Sequence, residues 1–169
     1  MKTIFFSCIL ILISGCWPTS VSFQDSGSMP KEWKSYSIQL LENNSPNTPI
    51  SYPARLTESL KDAIQNNSRL QLNTEIGKGE LFIKGTITNY VVTPIAIQDG
   101  DNAAKNRLTV SVNFDIYVSE PEEDIMKMTS TRFLDYNANT DLAFVESTLL
   151  EELNTQINQD VLNKLFSNW

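Results

Sequence analysis

The clearest pattern in the chain is an alternation. Leu108, Val110, Val112, Phe114, Ile116 and Val118 are apolar, and Arg107, Thr109, Ser111, Asn113, Asp115 and Tyr117 stand between them. A period of two marks a strand with one buried face and predicts an antiparallel sheet covered on one side. Tyr36, Ile38 and Leu40, alternating with Ser37 and Gln39, predict a first strand that stops at the turn-rich Asn43-Asn44-Ser45-Pro46-Asn47. The period then changes to that of a helix. Ser51 and Pro53 form a start signal, Leu56, Leu60, Ala63 and Ile64 line one face, and Asn66-Asn67 closes the element. Leu70 and Leu72 suggest a short strand, and Gly77-Lys78-Gly79 reads as a hairpin turn. Beyond it Leu81, Ile83 and Ile87 share one face of a longer strand, with Gly85 as a bulge or close-packing point.

Pro121-Glu122-Glu123-Asp124 separates the clearest strand from a final one over 125–136. Asn139-Thr140-Asp141 then caps a long helix over 142–166, whose stripe runs through Leu142, Val145, Leu149, Leu153, Ile157, Val161 and Leu165. Glu146, Glu151 and Glu152 lie toward its start and Lys164 near its end, as the helix dipole favours. The order β-α-β-β-β-α predicts an α+β two-layer sandwich: a mainly antiparallel four-stranded sheet with two helices packed on one face.

The N-terminus follows a different pattern. Lys2 precedes an apolar run from Ile4 to Ile13, broken by Ser7 and Cys8 and too short to cross a bilayer as a permanent helix. The run ends in Ile13-Ser14-Gly15-Cys16, which resembles a lipobox: an aliphatic residue, two small ones, then a cysteine whose sulfur takes diacylglycerol. Residues 1–15 are therefore expected to be a lipoprotein signal peptide. Residues 16–33, rich in Ser and Pro, are read as a lipidated tether, and 34–169 as the folded domain. The expected modification is a covalent diacylglycerol and an N-acyl lipid on Cys16, with no other cofactor. Trp17-Pro18-Thr19-Ser20 lacks the Asp that retains many lipoproteins at the inner membrane, which points to the outer membrane, facing the periplasm.

Composition narrows the chemistry. Removal of 1–15 leaves 154 of 169 residues, enough for one domain that buries roughly two-thirds of its surface. The net charge of −7 becomes −8 once Lys2 is removed, so nothing attracts nucleic acid over long range. Histidine is absent, which removes the usual general base near pH 7 and the commonest metal ligand. With Cys8 in the signal and Cys16 acylated, no disulfide, thiolate metal site or thiol nucleophile is expected. Asp, Glu, Ser and Lys chemistry stays open, yet no recognisable catalytic set emerges, and the expectation is a protein that is not an enzyme.

Two segments carry more apolar surface than their places require. Tyr90-Val91-Val92-Thr93-Pro94-Ile95-Ala96-Ile97 runs into Gln98-Asp99-Gly100-Asp101-Asn102, before Lys105 and Arg107 open the next strand. Either a long twisted hairpin extends the core, or its tip touches lipid or a partner, with the nearby cations placed for phosphate. Ile95, Ile97, Lys105 and Arg107 are the candidate lipid or partner contacts. On the last helix Leu162, Phe166 and Trp169 are read as projecting roughly opposite the main stripe. They are either buried against the tether or sheet, or form a partner surface. Met126 and Met128 read as core or edge packing, and Glu120 to Asp124 as a solvated turn in which Pro121 and like charges disfavour a metal cage.

Ser37-Ile38-Gln39 with Glu42-Asn43, Leu56-Thr57-Glu58 with Leu60-Lys61-Asp62, and Arg69-Leu70 form one ordered set of segments. Gly85-Thr86-Ile87-Thr88 with Tyr90 and Thr93-Pro94, Asn106-Arg107-Leu108-Thr109 with Val112, Asp135-Tyr136, and Asn163-Lys164 continue it. In order and spacing they resemble the LPS-assembly lipoproteins, LptE-like proteins that accompany the outer-membrane LPS translocon barrel. Leu41 before Glu42 and Glu80 before Leu81 depart mildly from that family's pattern. The resemblance implies two helices on a four-stranded sheet, lodged as a plug inside a large LptD-like β-barrel, and contact with lipopolysaccharide itself. With a negative net charge, such contact must use a local cationic patch and apolar surface. The alternative is a stand-alone periplasmic lipid- or substrate-binding lipoprotein auxiliary to a transporter.

Overall fold

The computed structural model describes residues 29–95 and 104–167. Strand β1 (Ser35–Ile38) leads through β2 (Glu42–Asn43) to helix α1 (Tyr52–Asn67), then to β3 (Gln71–Leu72), β4 (Leu81–Ile95), β5 (Lys105–Val118), β6 (Asp124–Asn137) and helix α2 (Leu142–Phe166). The sheet has six strands in the order β3-β1-β4-β5-β6, with β2 also paired to β4. The class is α+β as expected, but the sheet is mixed and wider than four strands. Its antiparallel part is β4-β5-β6. Its parallel part exists because α1 carries the chain back along β1, so that β3 and β4 both run in the direction of β1.

This crossover overturns the hairpin reading of Gly77-Lys78-Gly79. β1 lies between β3 and β4, so residues 73–80 cross its end instead of folding one strand onto the next. The Asn73 N–H donates to the Tyr36 carbonyl (2.7 Å) and the Gly77 N–H to Ser37 Oγ (3.2 Å), which covers Ser37 although it sits at a polar position in the alternation. Glu80 completes the crossing by accepting from the Ser35 N–H (2.6 Å) and Ser35 Oγ (2.8 Å). Partial burial opposes its ionised form, but the Ser35 and Lys34 hydrogen bonds prevail and hold the carboxyl below its ordinary range.

The first strand also ends sooner than its alternation predicts. Leu40 is 58% exposed, and Leu41, 3% exposed, takes the core position instead. The chain slips phase between β1 and β2, and the Leu41 N–H turns toward Thr57 Oγ1 of α1 (3.1 Å). Leu41 then lies against Gly85, where a Cβ would come within 2.8 Å of Leu41 Cγ and 2.9 Å of the Phe114 ring. Gly85 is thus a close-packing point, and the irregularity in β4 falls later, between Ile87 and Asn89.

The inward row of β5, from Leu108 to Val118, is buried as its period demands, and Leu81, Ile83, Ile87 and Tyr90 of β4 join it. Both helices supply the other wall of the core, α1 through Leu56, Leu60 and Ile64, and α2 through Leu153, Ile157, Val161 and Leu165. The start of α2 is fixed by Asp141, whose carboxylate accepts from the Ala143 N–H (3.0 Å). Leu142, Val145 and Leu149, the first part of the predicted stripe, are only half-buried. Asn154 and Asn158 sit within the apolar face because α1 offers them polar partners: Tyr52 OH donates to Asn154 (2.9 Å), and Asn158 donates to Ser59 Oγ (2.8 Å).

α2 is fixed to β6 by Asp160. Arg132 Nε donates to it at 2.8 Å, a second guanidinium nitrogen also reaches it, and Ser130 Oγ adds a third bond. Partial burial pulls the Asp160 pKa upward, but the bonds from Arg132 and Ser130 outweigh it, so the folded-state value lies below the ordinary one. A depressed carboxyl contributes its full stabilisation above its unfolded pKa of about 4 and loses it as pH falls through the lower folded value. Asp160→Asn is therefore expected to melt at a lower temperature than the parent near pH 7, with the gap narrowing toward about pH 2. Thermal melts across that range would check this, and a gap independent of pH would refute it.

Candidate lipid-contact and partner-contact surfaces

At the β4–β5 end the three long strands outrun the core. Val92, Leu108 and Leu134 form the last inward apolar row, while Thr93 and Pro94 are exposed. The inner side of the hairpin therefore extends the core as far as Val92, and the remaining residues project beyond it. On the opposite, helix-free face, Ile95 lies across from Lys105, Thr93 from Arg107 and Val91 from Thr109. β6 adds Asn137, Asp135 and Phe133 to the same rows.

The structure thus brings Ile95, Lys105 and Arg107 together but gives the two cations different roles. Arg107 is engaged within the fold: its Nε and Nη2 donate to the two oxygens of Asp135 at 2.7 and 3.0 Å, and its guanidinium lies 3.8 Å over the Phe133 ring. The hydrogen bonds from Arg107 hold the Asp135 carboxyl below its ordinary range against slight burial, and Lys105 adds a smaller pull. Lys105 itself is exposed. Phosphate would meet a free-standing ammonium at Lys105 and an already compensated charge at Arg107. Ile97 lies outside the described residues.

The sequence marks Asp135 only within the Asp135-Tyr136 segment and not as a partner of Arg107, and Phe133 carries no mark there, although a signal exists for both. The turn at Glu120 to Asp124 fixes the β5–β6 register without a break, from Val118↔Asp124 to Lys105↔Asn137, which necessarily places Asp135 opposite Arg107. Phe133 is 49% exposed and gives this end an aromatic surface beside the cation. Phe144, in the first turn of α2, is also strongly exposed near this end, where Tyr90 hydrogen-bonds Glu146. The Tyr90 hydroxyl is kept protonated, first by burial and then by Glu146.

The second candidate surface is arranged differently from the reading above. Leu162 is 4% exposed and shares the core with Val161 and Leu165, so it does not project opposite the main stripe. Adjacent helical positions are only about 100° apart, and the sheet and α1 together cover both. Phe166 is half-buried and packs on the same cluster, and Trp169 lies outside the described residues.

Cys16 also lies outside the described residues. Within the stretch read as tether, Met29 and Trp33 are buried; Trp33 Nε1 donates to the Glu120 carbonyl (2.7 Å), and Arg69 to the Met29 carbonyl (2.9 Å). The chain therefore enters the domain beside the β5–β6 turn, at the opposite end of the strands from Ile95 and Lys105. Among the described residues no three His, Cys, Asp or Glu side chains converge as a metal site, and no helix is long and apolar enough to cross a membrane.

A family model described as LptE, lipopolysaccharide-assembly, matches residues 33–165. Among solved structures, a hypothetical protein from Chlamydia trachomatis is 9% identical with a TM-score of 0.57, covering 80% of this chain and 99% of that one. A protein from Xanthomonas campestris is 12% identical with a TM-score of 0.54, over 82% of this chain and 87% of its own. These two likenesses show a common fold. An uncharacterized lipoprotein B from Nitrosomonas europaea is 15% identical with a TM-score of 0.49, over 82% and 84% of the two chains. No curated protein matches the sequence.

Proposed function

The chain belongs to the LptE lipopolysaccharide-assembly family, and from that premise we propose that it is a non-enzymatic outer-membrane lipoprotein that serves as plug and assembly partner of the LPS translocon β-barrel. The observation that carries this reading is the family match, which spans nearly the whole packed domain from Trp33 to Leu165. The shape is compatible. A domain of this length has a radius of gyration of about 15 Å, so its host would be a barrel well beyond eight strands. Acyl chains on Cys16 would hold it to the inner leaflet of the outer membrane, and the partner barrel would receive the sheet and helices.

The contact with lipopolysaccharide is assigned to the β4–β5 end. Lys105 offers an ammonium to phosphate, and Ile95, Val91 and Phe133 offer apolar surface beside it. Leu162, Phe166 and Trp169 are less suited to a partner surface, because Leu162 is occupied in the core.

Pull-down of the chain from detergent extracts of its native membrane is expected to bring down a large β-barrel protein as the main companion. Recovery of the chain alone would remove the plug reading. Lys105→Glu is expected to weaken binding of purified lipopolysaccharide about fivefold at low salt, with the melting temperature unchanged. Arg107→Glu is a poorer probe, because it would also set two carboxylates against each other at Asp135. Unchanged affinity in Lys105→Glu would exclude this residue from the contact.

A further inference from the structure

β6 forms one edge of the sheet over its whole length. All 14 of its residues pair with β5 without a register shift, and among the described residues no strand pairs with its other side. The direction of its backbone groups follows from one bond. The Ala138 N–H donates to the Ala104 carbonyl (2.9 Å), one step beyond the Lys105↔Asn137 pair. Bonded and unbonded pairs alternate in an antiparallel ladder, so the even-numbered residues of β6 bond β5, and Lys127, Thr129, Thr131, Phe133 and Asp135 turn their N–H and C=O groups to the open side. All five residues are exposed. The result is a row of donors and acceptors repeating about every 6.7 Å, which matches the two-residue repeat of another extended chain.

Edge strands are ordinarily protected by brevity, proline, bulges or charge. β6 contains neither proline nor glycine, and three of its four charged residues are engaged inside the chain. Asp124 accepts from the Ile125 N–H (2.7 Å), Arg132 is bound to Asp160, and Arg107 takes both oxygens of Asp135. Lys127 remains, exposed and in a long contact of 3.9 Å with Asp115. The charge this edge offers is therefore a cation. A second copy would offer the same cation, with its own edge carboxylates already engaged.

We infer that β6 receives an extended segment of the proposed barrel partner as a seventh strand, with a carboxylate opposite Lys127 and an apolar residue opposite Phe133. The inference rests on the plug reading above and adds which edge is used and what the segment must carry. Main-chain bonds supply the affinity in such strand addition, and alternate side chains select the segment. Lys127 and Phe133 share the helix-free face six residues apart, so the acid and the apolar residue of the segment are also six apart, whichever way the segment runs.

The test is made on the full chain in its native membrane. Photo-reactive phenylalanine placed at Thr129 and at Phe133 is expected to join one stretch of the barrel at sites about four residues apart, as a strand in fixed register requires. Thr131→Pro removes one outward N–H while the β5 ladder keeps its bonds, and is expected to cut the barrel recovered with the chain about fivefold. Thr131→Val loses the same hydroxyl bond to Ser111 but keeps that N–H, and should recover as much barrel as the parent. Lys127→Gln should cut recovery about threefold with the melting temperature unchanged, which keeps a readout if the proline variant fails to fold. Equal recovery by the parent and by folded Thr131→Pro or Lys127→Gln would overturn the pairing and leave the plug reading in place. So would a loss in Thr131→Val as large as in Thr131→Pro, or adducts that scatter over the barrel, attach to lipid or join two copies of the chain. A parent chain that brings down no barrel would overturn both.

Discussion

Gly85→Val is expected to lower the melting temperature by roughly 10 °C, corresponding to a loss of about 3 kcal/mol. The position is crowded from two independent directions. Leu41 reaches it from the segment between β1 and β2, and Phe114 reaches it across the sheet from β5. Both side chains are buried, so neither has solvent to retreat into. Even the Cβ of alanine would force one of them to move, and the branched valine adds two further carbons. Gly85→Ala combined with Leu41→Val is expected to recover part of the loss, because the two sites share one contact and their effects will not add. Thermal unfolding of the single and double variants would check both statements. A Gly85→Val protein as stable as the parent would mean that the sheet and the Leu41 segment are not held together as described.

The second large effect concerns attachment. Cys16→Ala is expected to move the protein from the membrane fraction to the soluble fraction and to abolish an acyl mass increment at the N-terminus. Each buried methylene contributes about 0.8 kcal/mol, so two or three chains hold a protein to a bilayer with negligible release, and a chain without them has no comparable anchor. The expectation rests on Ile13-Ser14-Gly15-Cys16 at the end of a short apolar run. Fractionation in cells that lack the proposed barrel partner separates lipid attachment from protein attachment. Continued membrane association there would contradict the lipobox reading.

Elements whose pattern is set by a single partner surface were legible in the sequence. β5 shows its alternation because both of its neighbours are long antiparallel strands and one face is uniformly covered. α1 and the Asp141 cap were readable for the same local reason: side-chain spacing and hydrogen-bonding groups within a few residues specify them. The β1 region was not, because its burial is decided by elements distant in the chain. Residues 73–80 cover Ser37, and α1 draws in Leu41 in place of Leu40. The hairpin reading of Gly77-Lys78-Gly79 failed similarly, since a turn signal specifies a reversal but not which strand lies beside it. At the candidate site the cations and Ile95 were legible as a cluster. That Arg107 is already neutralised by Asp135 required the β5–β6 register. Of the two alternatives open for Leu162 the buried one holds, and spacing does not show it because a single stripe implies one covering surface, whereas α2 packs against both the sheet and α1.

The positions of Trp33 and Ile95 at opposite ends of the long strands have a consequence for depth. From Val118, beside the Glu120 carbonyl that holds the Trp33 indole, to Lys105, opposite Ile95, β5 extends for about 40 Å. The hydrocarbon slab of a bilayer is about 30 Å thick. If the root of the hairpin is held level with one leaflet and the strands stand upright in a pore, the tip emerges at the height of the opposite headgroups. No hinge or extension is needed to get there, so the stiffness of the paired strands would fix the height at which Lys105 is presented.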